Sequence, residues 1–307
     1  MSAKDLEESA IKKSKRSQNL MWSFLTGTYM RDDEVAELFN QAGNMYVTEK
    51  KIDCAVRCYL CASEEYGKLE HQEYNTRKNL QLALEYGNKI NIFSEDQQIN
   101  YLKRIAKSFA KNGDTSKHNE QYLKIAMIYE NNNNYELAMS TLDECIDTSN
   151  IFFDEIINKK CSLLMLQKKY YEISKNYESL ITSILSRSNN ATSKIRCREY
   201  MLLSILCVLL IDDIVSAKNK YEEYIKIDID FKNSYEGLIS SDTINSVESQ
   251  NTYLLEDTNK KYNSILRIKP KWTSLLGLIR EQLDENIKVI EKENNDDKDE
   301  YNEDSYC

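Results

Sequence analysis

Apolar positions recur along this chain with the spacing of one helix face. Val35, Leu38, Phe39, Ala42 and Tyr46 form one such stripe, and Leu102, Ile105, Ala106 and Phe109 form another. Lys111-Asn112-Gly113 follows the second stripe and reads as a helix stop. Tyr122, Ile125, Ala126 and Tyr129 make a third, Asn131 to Asn134 a short turn, and Leu137, Ala138, Leu142 and Cys145 open the next. A weak internal repeat runs through these stripes. Tyr46 and Ala55 flank one polar turn, Tyr129 and Ala138 a second, and Leu164 and Ile173 a third, each pair nine positions apart. A bulky residue, a turn and then a smaller residue is how antiparallel helix pairs pack in tetratricopeptide-like arrays. The pattern predicts an all-α chain with such an array over 33–227. From Tyr235 to Leu255 the pattern gives way to Ser, Asp and Asn clusters, and Tyr262 to Ile290 is again amphipathic. This predicts a C-terminal helical bundle over 228–290, preceded by a basic helix over 1–20 and an apolar loop over 21–32. Residues 291–307 are a polar, acidic tail that need not fold.

Composition supports the helical reading. Among 307 residues there are one proline, Pro270, and seven glycines, the two residues helices tolerate least. The longest apolar run, Met201 to Ile211, is broken only by Ser204 and is too short to span a bilayer, so it reads as a buried helix. Residues 1–20 lack the apolar core of a secretory signal. With eight cysteines and no such signal, free thiols in a reducing cytosol are expected. Cys54, Cys58 and Cys61 share a helix with no fourth ligand beside them, so they are expected to be small core residues rather than a metal site.

The net charge of −9 is uneven. Asp284 to Asp304 holds ten acids and three lysines, while Lys12, Lys13, Lys15 and Arg16 cluster near the start. Opposite charges at the two ends suggest two kinds of partner and argue against nucleic acid as the main ligand. No glycine-rich phosphate loop occurs, no cofactor is implied, and His118 is expected at the surface with no catalytic companions, so an enzyme is not expected. The Met21, Trp22, Phe24 and Leu25 cluster lies between the basic segment and Asp32-Asp33. Periodicity alone leaves it open as an interfacial membrane anchor or as a staple under the first helix pair.

Four stretches carry a family resemblance. They are Met21-Trp22-Ser23-Phe24-Leu25-Thr26-Gly27 ahead of Ala42-Gly43-Asn44-Met45, then Ile125-Ala126-Met127-Ile128-Tyr129-Glu130 within Lys117 to Glu130. The others are Ser216-Ala217-Lys218 with Lys220-Tyr221-Glu222-Glu223, and Tyr262-Asn263-Ser264-Ile265-Leu266-Arg267 with Lys271-Trp272. In this order and spacing the chain resembles the soluble NSF attachment proteins of the alpha type. The resemblance implies a right-handed α-solenoid that binds SNARE complexes of the syntaxin type. It further implies recruitment and stimulation of an NSF-type AAA+ ATPase for SNARE disassembly in ER–Golgi and other vesicle transport. The chain would act in the cytoplasm, peripheral on the cytosolic face of membranes. A gamma-type relative, or another helical-repeat scaffold of coat or regulatory assemblies, is the competing reading.

The resemblance also assigns residues. It makes Met21, Trp22, Phe24 and Leu25 membrane-contacting. Lys50 falls on a SNARE-contacting lysine. Asp114 and Glu120 stand where basic residues are expected, with Lys111, Lys117 and Lys124 nearby, and a further lysine falls on Glu155 or Lys160. Asp212 and Glu248 match ATPase-facing acids, whereas Asn245 and Ser249 replace two more. The activating leucine beside an acidic run at the family's C-terminus is expected here in Leu283, Asp284, Glu285 and Ile287, with apolar groups filling a pocket on the ATPase. An ordinary core role for Leu283 and Ile287, as an i, i+4 apolar pair, stays open.

Overall fold

A computed structural model describes residues 2–17, 33–145, 153–265 and 269–303. Among them are fourteen α-helices, one short 3-10 turn and no strand. The fold is all-α, as the pattern predicts. The chain divides into two compact units, Met1–Phe152 and Phe153–Cys307.

The first unit contains α1 (Ala3–Ser17), α2 (Asp33–Thr48), α3 (Ile52–Gly67), α4 (Glu73–Lys89), α5 (Glu95–Lys111), α6 (Thr115–Asn131) and α7 (Tyr135–Asp143). Successive helices pack on each other, and α1 lies on α2. The second contains α8 (Phe153–Leu166), α9 (Tyr170–Arg187), α10 (Ala191–Leu209), α11 (Ile214–Ile227), the 3-10 turn Phe231–Asn233, α12 (Tyr235–Glu248), α13 (Thr252–Ile265) and α14 (Pro270–Glu303). The one proline therefore opens a helix, where its missing N–H costs nothing. The backbone of α14 stays helical beyond residue 290, where the sequence suggests a tail.

One turn geometry explains the nine-residue repeat. At the end of α2, Lys50 adopts φ +60° and its N–H donates to the Val47 carbonyl, while Lys51 N–H reaches back five residues to the Tyr46 carbonyl at 2.9 Å. This is the Schellman arrangement, which satisfies the last carbonyls of a helix. The Lys51 carbonyl then accepts the Ala55 N–H, four residues on, and starts α3. Tyr46 and Ala55 are thereby fixed nine positions apart, and both are buried. The same paired bonds follow Asn91, Gly113, Asn133, Lys168, Asp212 and Gln250, each with positive φ, and only one of the seven is glycine. At the α5–α6 turn, the small-residue position is taken by His118. It is buried, its Nδ1 lies 3.1 Å from the Ala106 carbonyl, and its ring centroid is 4.7 Å from that of Tyr122, tilted by 34°. The surface position expected for it is corrected by the turn register, which points that side chain into the helix pair.

Close approach of helices accounts for the Ala42-Gly43-Asn44-Met45 segment. A Cβ on Gly43 would lie 2.8 Å from the Tyr59 ring, and the Tyr59 hydroxyl donates to Asn44 Oδ1 at 2.8 Å. α1 docks through Ala3, Leu6 and Ala10. Glu7, almost fully covered, accepts from the Tyr46 hydroxyl at 2.7 Å and from Arg57 at 2.8 and 3.0 Å. Burial and that carboxylate hold the Tyr46 phenol above its usual range.

The apolar run Met201 to Leu209 is the centre of the second unit. It lies in α10 and is buried throughout, because α9, α11, α12 and α14 all pack on that helix. The helices after 228 thus share a core with α10. Ser204, the one polar residue in the run, is satisfied by Ser174 Oγ at 2.8 Å and the Tyr224 hydroxyl at 3.1 Å. Gly237, in the first turn of α12, sits against the 3-10 turn, where a Cβ would fall 1.9 Å from the Phe231 carbonyl oxygen.

Two backbone substitutions test this description in opposite directions. Gly237→Ala should lower stability by about 2–3 kcal/mol through overpacking. Lys168→Gly should raise it by about 0.5–1 kcal/mol, because the left-handed conformation costs a side-chain-bearing residue roughly 1–2 kcal/mol. Chemical denaturation of the two variants beside the parent reads both effects.

The cysteines yield a second prediction. Seven are free among the described residues. Burial raises the Cys58 and Cys161 thiols to about 12 and Cys197 to about 11, and pushes Cys207 up as well. At pH 8 in the native state these four should react with an alkylating reagent on the order of a hundredfold more slowly than an exposed thiol, and should catch up after denaturation. Mass spectrometry of timed quenches would locate the modified sites.

Candidate partner-binding surfaces

The turns and helix termini place most of the candidate residues. Lys50 occupies the left-handed position of the α2–α3 turn and is exposed. Asp212 occupies the same position of the α10–α11 turn at φ +61° and is also exposed. Glu248 closes α12 and forms an ion pair with Lys218 of α11, which sets the α12 end beside the α11 start. Asn245 and Ser249, which stand where two more acids were expected, are exposed near Glu248.

On α6, Lys117 and Lys124 are exposed and seven residues apart, hence on one helix face. Lys117 lies 3.4 Å from Asp114 and 5.5 Å from the Phe109 ring centroid. Lys124 Nζ is 2.6 Å from Glu120. The two acids standing where basic residues were expected thus have local work. Asp114 caps α6 by accepting the Lys117 N–H at 3.0 Å, and Glu120 is the i, i+4 partner of Lys124. Both lysines sit in exposed pairs that a partner can exchange at little cost. Lys160 lies half-buried in α8, in the second unit, and Glu155 is exposed.

Met21, Trp22, Phe24 and Leu25 lie outside the described residues. On α1, ahead of them, Lys12 and Lys15 are exposed and Lys13 pairs with Glu34. Among the described residues no helix is long and apolar enough to cross a membrane.

The C-terminal candidates divide. Leu283 is buried, in one stripe with Leu275, Leu276 and Ile279. The i, i+4 stripe turns it into its own unit, where α14 packs on α10 and α13, which is the core role that the sequence left open beside a pocket-filling one. Asp284 is half-buried and 3.7 Å from Arg280, which also bonds Glu256 of α13 at 2.7 Å. Glu285 is exposed and Ile287 half-buried.

Two polar centres were not anticipated from sequence. One is the Glu7, Tyr46 and Arg57 network. The other joins Arg198 to Asp228 at 2.7 Å, an ion pair that the carboxylate strengthens by raising the guanidinium's affinity for its proton. Their bonded partners lie 30 to 50 residues apart in sequence, beyond any local pattern.

An all-α chain of antiparallel pairs joined by one repeated turn, carrying charged candidates at turn tips and on outer faces, belongs to the class of tetratricopeptide-like helical-repeat proteins. The family model described as "Soluble NSF attachment protein, SNAP" matches residues 1–284, and the chain belongs to that family. The chain is 22% identical over 280 residues to the alpha-soluble NSF attachment protein of Vitis vinifera, covering 90% of this chain and 92% of the relative. It is 22% identical to that of Homo sapiens, covering 89% and 92% of the two chains. The Saccharomyces cerevisiae protein of the same name is 24% identical over 292 residues, with 91% and 96% covered. Among solved structures, the crystal structure of C. therm. Get4 is matched with a TM-score of 0.27 at 13% identity, covering 90% of this chain and 88% of that one.

The ion-pair geometry on α6 has a measurable consequence. Lys117→Ala and Lys124→Ala should each change stability by less than about 0.5 kcal/mol, as exposed pairs do. Thermal unfolding that drops by many degrees for either variant would show these lysines to be structural.

Proposed function

We propose that this chain is an adaptor that binds assembled SNARE complexes and brings to them an NSF-type AAA+ ATPase, which it stimulates to take the complexes apart in vesicle transport. The observation that carries the reading is the family match over residues 1–284, with alpha-type relatives aligned across about nine-tenths of both chains. The adaptor performs no reaction itself and works by holding two partners together at the cytosolic face of a membrane.

In this reading Lys50, Lys117, Lys124 and Lys160 hold the acidic SNARE bundle. A rim of lysines steers an acidic rod toward its site and fixes its orientation more than it adds affinity. Met21, Trp22, Phe24 and Leu25 enter the membrane interface beside Lys12 and Lys15, each large side chain contributing roughly 1.5–3 kcal/mol when buried. Asp212 and Glu248 meet basic groups of the ATPase. At the C-terminal end Asp284, Glu285 and Ile287 touch the ATPase, while Leu283 anchors the helix that presents them.

The test uses purified full-length chain, a preassembled SNARE complex and the ATPase. Lys50→Glu/Lys117→Glu should weaken SNARE binding on the order of tenfold at low salt, with the deficit shrinking as salt rises. Asp284→Lys/Glu285→Lys should leave SNARE binding intact and lower ATPase stimulation. A wild-type chain that neither binds the SNARE complex nor stimulates the ATPase overturns the reading.

A further inference from the structure

The docking face of α1 runs on past its apolar members. Ala3, Glu7, Ala10 and Ser14 recur at helical spacing, with Leu6 beside them. Ala3, Leu6 and Ala10 are buried, and Glu7 is held by Tyr46 and Arg57. Ser14 is half-buried, and its Oγ donates to Glu65 Oε1 of α3 at 3.0 Å. It therefore closes that face in the last turn of the helix. Its chain neighbours set it apart. Lys12 and Lys13 precede it, Lys15 and Arg16 follow it, and no other serine, threonine or tyrosine of the chain has two basic residues on each side.

Across the helix interface the charge is of the opposite sign. Glu65 faces Ser14 directly, and the adjacent Lys13 reaches Glu34 of α2. Lys68 is already bonded to the same Glu65 oxygen at 2.9 Å. A hydroxyl suits this place because it donates to the carboxylate. A phosphate monoester there, with a charge of about −1.5 to −2 at neutral pH, sets like charge against Glu65. It also lies at the negative end of the α1 dipole, where an anion is unfavourable.

We propose that Ser14 is a phosphorylation site for a serine/threonine kinase that reads basic flanks, and that the phosphate releases the end of α1 from α3. An acid-lined kinase cleft takes the four cations around Ser14 as its recognition element. The last carbonyls of a helix have no partner within it, so the final turn opens at little cost and brings the hydroxyl within reach. In the transfer, Ser14 Oγ bonds to the γ-phosphorus of ATP, and the bond from that phosphorus to the β–γ bridging oxygen breaks. ADP leaves, and the hydroxyl proton passes to a base of the kinase. Repulsion from Glu65 then keeps the turn from closing. Ala3, Leu6, Glu7 and Ala10 keep their contacts, so the first part of α1 stays seated. The phosphate also offsets up to two of the four positive charges around it. Resting on the membrane reading above, this weakens attraction to an anionic leaflet.

The test treats the full-length chain with protein kinase C and magnesium ATP, maps phosphate by mass spectrometry and follows amide hydrogen exchange. Phosphate should appear on Ser14, and Ser14→Ala should lack it. In the phosphorylated chain residues 11–17 should exchange on the order of tenfold faster, with 3–10 and α2 to α7 unchanged. Ser14→Ala, small enough for the stripe, should exchange like the parent, because added charge and not the lost hydrogen bond opens the turn. Glu65→Gln should restore protection to the phosphorylated chain. Flotation with phosphatidylserine vesicles should fall on the order of tenfold on phosphorylation at low salt. The inference is overturned if no phosphate reaches Ser14 in the folded chain, or if the phosphorylated chain exchanges like the parent. It is also overturned if Ser14→Ala exchanges as fast as the phosphorylated chain, or if exchange rises throughout the first unit. If the parent floats and phosphate leaves flotation unchanged, the membrane consequence is overturned. If the unmodified chain does not float, the membrane reading falls by itself, and exchange still decides the role of Ser14.

Discussion

The pair of backbone hydrogen bonds that closes the seven repeated turns is the constraint from which the rest follows. One N–H reaches back five residues, in six of the seven the same residue's carbonyl starts the following helix four residues on, and a left-handed residue makes the reversal possible. That sequence of bonds fixes which residues of two successive helices face each other. Without it Tyr46 would not lie over Ala55, nor Leu164 near Ile173, and the apolar stripes would have no common partner. The cost is considerable, since six of the seven left-handed positions in these turns carry a side chain, as does left-handed His71 outside them. The repeated cost shows how much packing depends on register, for a helix rotated by one residue would turn its stripe about 100° from its neighbour.

Packing then decides what each unit can spare for partners. In the second unit α10 is enclosed from Met201 to Leu209 and leaves no face free there, so recognition falls to the turns and to the outer helices. The α14 stripe shows the same economy. Leu283 fixes the helix, while Asp284 and Glu285 on its outer side remain available. In the first unit the Glu7, Tyr46 and Arg57 network ties a strongly basic helix to its neighbours, so that its outward lysines are held on a fixed frame.

The fold was legible in the sequence because its causes are local. Spacing of apolar residues, scarcity of proline and glycine, and the nine-residue interval are all printed in short windows. The interval could be seen without its reason, since two hydrogen bonds of the turn involve only backbone and leave no mark on residue type; Lys50, Gly113 and Asp212 share a conformation but no chemistry. His118 was misplaced for that reason, as a polar residue at a position normally given to alanine. The unit boundary near 152 was not legible either. It depends on α10 packing with helices beyond 228, and contacts across such distances are not written in any one stretch. Of the candidate surfaces, charges at turn tips were found by resemblance, while the local roles of Asp114 and Glu120 needed the observed capping and pairing geometry.

Lys50 and Asp212 sit in the same slot of the same turn with opposite charge. The backbone there is held by its own hydrogen bonds and is indifferent to what the side chain carries. Each turn tip therefore works like a socket on a fixed rail, and exchanging its occupant rewrites the sign of the surface without disturbing the core. Such a chain can change the partners at its edge by single substitutions while the helices behind them stay in place, which makes recognition in this fold far more evolvable than its packing.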